Sequence, residues 1–131
     1  MNTLLGNAIG VSKSLGSASR SGSANGTAVD LSNIEGEILV VLDSAAMSTA
    51  DTLDVTIEES ADNSTFAAAP ADALINPETG LAATFTQVTD AAVSFQVLAL
   101  KKERLKRYVR AVGTLAGGSI AAVFSVHFVY S

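Results

Sequence analysis

The chain has 131 residues, 48% of them apolar and 16% charged, with a net charge of −5 and neither cysteine nor tryptophan. That is length for one domain with one core, and it excludes a disulfide framework and a thiolate metal centre. No stretch approaches the roughly 20 apolar residues of a membrane-spanning helix. The N-terminus lacks the early positive charge and unbroken apolar run of a secretory signal, so a soluble protein used without export is expected.

Residues 1–27 are rich in Gly, Ser, Ala and Asn, with no sustained period, and are expected to form a flexible N-terminal arm. Leu4, Leu5, Ile9, Val11 and Leu15 are its candidate anchors on a neighbouring subunit. The body is then residues 28–131. Val29 and Leu31 open it in alternation, and Ile38 to Leu42 runs without a polar residue, as suits a strand covered on both faces. From Leu53 the alternation is clean: Leu53, Val55 and Ile57 point one way, Asp54, Thr56 and Glu58 the other. "SADNST" (Ser60–Thr65) then reads as a hairpin corner, because Asp and Asn bond their own turns and tolerate left-handed backbone; Phe66 should return to the core.

Both prolines fall in residues 67–80, which read as a surface loop with one short helical turn. Two alternating segments follow, one carrying Phe85 and Val88, the other Val93, Phe95 and Val97. "RYVRAVGTL" alternates again, and "AGGS" after it suggests a tight hairpin into the last strand. There Ala122, Phe124, Val126 and Phe128 share a face with Ile120 and Tyr130. Short strands at this spacing, without a sustained helical period, give an all-β, antiparallel β-sandwich of jelly-roll type.

Charge is unevenly placed. Lys101–Arg110 holds six of the eight basic residues and one acid, a net +5, which leaves −10 for the remainder. Lys101, Lys102, Arg104, Lys106 and Arg107 are therefore either a docking patch for an acidic partner or another copy, or a solvated loop between strands. Nucleic acid is disfavoured, since the acidic body would repel phosphate.

No catalytic chemistry emerges. The single histidine, His127, lies mid-strand with no nucleophile motif in the chain, and reads as structural. Asp51, Asp54, Glu58, Glu59 and Asp62 match no calcium loop, and the glycines near Gly117 lack the Lys and helix of a phosphate loop. No metal, no cofactor and no enzyme activity is expected. The sequons at Asn25 and Asn63 are chance matches if the chain is not exported.

Three stretches together resemble small β-sandwich structural proteins of tailed bacteriophages, the capsid decoration or cement proteins and related virion components. They are "VDLS" at Val29, "IEESADNSTF" from Ile57 to Phe66, and "RYVRA" from Arg107, followed by a Gly-rich link and an apolar strand. The likeness covers Val29 to Tyr130. Asn63 stands where those proteins usually have Gly in the corner, and the N-terminal arm is outside the shared pattern. The resemblance implies binding to the major capsid protein at subunit junctions, on the outer surface of the virion, after synthesis in the host cytoplasm. It also implies contact with further copies of the chain, a homotrimer before a dimer, and no membrane partner. The alternatives are a head-to-tail junction or tail protein of the same fold and, from a different class, a carbohydrate-binding module.

Overall fold

Alternating runs become strands, and strands account for the regular structure. The computed structural model describes residues 10–47, 50–89, 93–117 and 122–130. Its strands are β1 (Gly10–Arg20), β2 (Ala24–Asn25), β3 (Val29–Asp30), β4 (Ile38–Ser44), β5 (Thr52–Ser60), β6 (Ala67–Ala68), β7 (Leu74–Ile75), β8 (Ser94–Leu100), β9 (Tyr108–Ala116) and β10 (Ala122–Tyr130). Two 3-10 turns, Ala71–Ala73 and Lys102–Arg104, are the only helical segments among the described residues.

The strands make two antiparallel sheets. One is ordered β1-β10-β4-β8-β7; the other is β2-β9-β5-β6, with β3 also paired to β9. The chain changes sheet between β1 and β2, β3 and β4, β4 and β5, β6 and β7, β8 and β9, and β9 and β10. Thus β1-β10-β4-β8 lies opposite β3-β9-β5-β6, the order of a jelly roll. The expected sandwich is the fold, and β10 is an interior strand flanked by β1 and β4.

The core follows the alternation. Ile38, Val40 and Leu42 of β4, with Phe124, Val126 and Phe128 of β10, face Leu53, Val55 and Ile57 of β5 and Val109, Ala111 and Leu115 of β9; all are buried. Gly113 belongs to the same inward series of β9. A Cβ there would lie 2.8 Å from the Phe124 ring, so glycine makes the room that the phenylalanine fills.

The leader differs most from expectation. Residues 10–20 are not an arm: they form β1, which lies along β10 from Gly10↔Tyr130 to Arg20↔Ala122, with two register irregularities. Leu15, expected to anchor on a neighbour, is 3% exposed in the chain's own core. The irregularities turn Ser14 toward the other sheet, where its Oγ accepts from Ala111 N (2.8 Å) and donates to Thr27 O (2.9 Å). Gly26 passes so close that a Cβ would sit 2.7 Å from Ser14 O and 2.8 Å from Ala111 O. The leader therefore closes one edge of the sandwich, and the boundary expected at residue 27 is not one. Leu4, Leu5 and Ile9 lie outside the described residues.

Two smaller expectations change, and a facing left open by the sequence is decided. β9 and β10 belong to different sheets, so the link carrying "AGGS" is no hairpin; residues 118–121 themselves lie outside the described residues. The segment around Phe85 and Val88 is not a strand. Both side chains are buried, but the backbone makes only bridges, Leu53↔Val88 and Ile75↔Ala82. The Gln96 amide takes the place of a ladder there, accepting from Thr86 N (2.7 Å) and donating to Thr86 O (2.9 Å). In β8, finally, Phe95 and Val97 face outward, because Leu98 and Leu100 are the residues buried on the inner side.

Candidate interaction surfaces

The corner after β5 is built by one carboxylate. Asp62 accepts from Ser60 Oγ (2.9 Å), Ser64 N (3.0 Å) and Thr65 N (3.0 Å), and Asn63 takes φ of +59°, the conformation that Gly or Asn supplies at least cost. Those bonds to the ionised form, the backbone N–H of Thr65 first, hold the Asp62 carboxyl below its usual value of 3.8. A depressed folded pKa gives stability that is present above the unfolded value and lost as pH falls. The midpoint of urea unfolding should therefore drop as pH is lowered below about 4, and Asp62→Asn, which cannot titrate, should flatten that drop.

Phe66 does not return to the core. It is half-buried, and the Arg110 guanidinium lies over its ring at 4.0 Å while donating through Nε (2.9 Å) and Nη2 (2.7 Å) to Glu58 Oε1. The corner is thereby tied to β9, its neighbour in the sheet.

Four of the six basic side chains of the strip, Lys102, Arg104, Arg107 and Arg110, are bonded within the chain. Arg107 grips Asp30 with two hydrogen bonds, Nε to Oδ1 (3.1 Å) and Nη2 to Oδ2 (3.0 Å), and lies over Tyr108 at 5.1 Å. The Arg107 side chain, with the Ser32 N–H, holds the Asp30 carboxyl far below the usual carboxylate range, and Asp30 in turn raises Arg107. Arg104 pairs with Asp72, and Lys102 Nζ donates to Ile34 O. The backbone N–H of Lys106 donates to Oε1 of the buried Glu59 (3.0 Å). Of the five strip residues singled out by sequence, Arg104, Arg107 and Lys102 thus fasten the β8–β9 connection to their own domain. Lys101 is half-buried and Lys106 exposed at its ends. Exposed pairs of this kind position a loop more than they stabilise it.

A different surface stands out on the outer side of the β1-β10-β4-β8-β7 sheet. Its first row across the strands is Val11, Val129, Leu39, Ala99 and Ile75; the second is Lys13, His127, Val41 and Val97; the third contains Ser125, Asp43 and Phe95. Val11 is 61% exposed and Phe95 69%. Leu39, Val41, Val97 and Val129 are half-buried between them. Val11 is the one leader anchor that the fold leaves accessible among those described. Sequence reading placed Phe95 and Val97 in an alternating strand without saying which way they turn, and missed the face for that reason.

His127 lies in this face between Lys13 and Val41, and no group of three His, Cys, Asp or Glu among the described residues could hold a metal ion. The Asp51 carboxylate is buried beside Gly117, apart from the outward Asp54 and Glu58. An apolar groove of about 220 Å³ runs beside β5, lined by Val55, Ile57, Ala69, Leu74, Ala83 and Phe85, without a charged side chain.

Fold and surface define a class: a two-sheet jelly-roll protein with the arginines of its basic strip paired internally and one apolar outer sheet face. Compared with known proteins, the chain matches no family model, and no curated protein is significantly similar to it.

Proposed function

We propose that this chain is a virion structural protein, a decoration or cement protein that binds the major capsid protein at subunit junctions on the outer surface of a tailed-bacteriophage shell and braces it. The resemblance of Val29–Tyr130 to such proteins supplies the identity of the partner. The observation that carries the reading is the division of the surface: the Arg side chains of the strip are spent on the domain's own carboxylates, while Val11, Phe95 and Val123 are exposed on a single sheet. Such a body is suited to association through broad faces rather than to enclosing a small molecule. Many copies acting together make modest individual contacts sufficient.

A sugar platform is less well served. The Tyr108 ring carries Arg107, and Tyr130 packs against Gly10 with its hydroxyl bonded to Ser12 Oγ (2.9 Å). The test is addition of the purified chain to source shells that lack it. Saturation at hundreds of copies, with a higher temperature of shell disruption, is expected. Saturation at about a dozen copies, as a closed ring at one vertex allows, would move the protein to the head-to-tail junction or tail, and absence of binding would end the capsid reading.

A further inference from the structure

We propose that the outer face of the β1-β10-β4-β8-β7 sheet docks a second copy of the chain through a two-fold contact. An antiparallel sheet with one buried side ordinarily alternates to polar residues on the other. Here β8 does the reverse: Leu98 and Leu100 fix its register inward, and the same register sends Phe95 and Val97 out beside Asp43 and Val41. A contiguous apolar surface of this kind marks an association site.

Charge identifies the occupant. Within the described strands the face carries two formal charges, Lys13 on β1 and Asp43 on β4. Lys13 is in register with His127 and Val41, and Asp43 is the next outward residue along β4. A two-fold axis lying in the interface, over β10 between His127 and Ser125, sets Lys13 of each copy against Asp43 of the other. With strands about 4.8 Å apart and outward residues about 6.8 Å apart, that same axis brings Val97 opposite Val129 and Phe95 opposite Val11. One ion pair becomes two by symmetry, and apolar residues meet apolar residues, which is the self-complementarity an isologous contact needs. At those spacings the twelve residues of the three rows cover roughly 400 Å² per copy, about 800 Å² in total, the size of a weak, reversible contact.

The inference stands apart from the capsid reading, because it concerns the purified chain alone. Sedimentation equilibrium of the full chain, from micromolar to submillimolar concentration, should show a monomer–dimer equilibrium. Phe95→Ser should weaken it by at least ~30-fold, the effect of losing a central aromatic anchor, with an unchanged circular-dichroism spectrum. Lys13→Asp and Asp43→Lys should each weaken the dimer, and the double variant should restore it. A monomer at every concentration overturns the proposal, as does an oligomer that Phe95→Ser leaves intact or a double variant that does not recover. A monomer that dimerises only once residues 1–9 are removed would give the face to the chain's own leader. A monomer whose binding to shells is lost in Phe95→Ser would give it to the capsid.

Discussion

Deleting residues 1–27 is expected to abolish cooperative folding rather than to trim a loose arm from a finished sandwich. The deletion removes β1 and β2, and with β1 the strand that covers one side of β10 from Ala122 to Tyr130. It takes Leu15 out of the core, a loss worth about 2–5 kcal/mol if only the side chain were removed. It strips Ser14 Oγ from the buried N–H of Ala111, which costs about 1–3 kcal/mol when the donor is left unpaired. It also removes Ser23 Oγ, which accepts from Leu115 N. Together these approach the whole of a small domain's stability, about 5–15 kcal/mol. Circular dichroism of the truncated chain should show no sharp thermal transition; a transition near that of the full chain would mean that β1 is dispensable and its pairing with β10 wrong.

Phe128→Ala should be the most damaging of the simple core truncations, at about 3–5 kcal/mol, because the ring is fully buried on an interior strand, between Ser12 of β1 and Val40 of β4. Val123→Ala, on the same strand but turned outward and 45% exposed, should stay within about 0.5 kcal/mol of the parent. Urea unfolding of the two variants, read as a shift in midpoint at constant slope, compares the two faces of β10 directly. Equal losses would contradict the facing assigned to the strand.

These contrasts also show why some elements were legible from residues alone and others were not. β5 and β10 declare themselves because one face of each is buried, so Leu53, Val55 and Ile57, or Phe124, Val126 and Phe128, must recur at every second position. The corner was legible through Asp62 and Asn63, whose side-chain chemistry is local. β1 was hidden: its Gly and Ser content has little strand propensity, and the irregularities on either side of Leu15 break the period, so only pairing with β10 makes it a strand. In β8, Val97 to Leu100 are apolar in both phases, and nothing nearby in sequence decides that Leu98 and Leu100 win the core. The role of the basic strip depended on acids far along the chain. Arg107 meets Asp30 across 77 residues and Arg110 meets Glu58 across 52, so arginines that looked free by composition are paired by topology.

The pairing of β1 with β10 also sets the order in which the molecule can assemble. Ser12 and Tyr130, joined through their hydroxyls, are 118 residues apart, so β1 leaves the ribosome long before β10 and waits for it before it has a strand partner. Closing so long a loop is entropically late, and contacts this distant slow folding. Until then β10 presents an open edge able to recruit the wrong chain. A β1 made largely of glycine and serine, with little tendency to pair on its own, stays harmless through that delay; a version enriched in valine and isoleucine would bind its edge more tightly and aggregate more readily during synthesis.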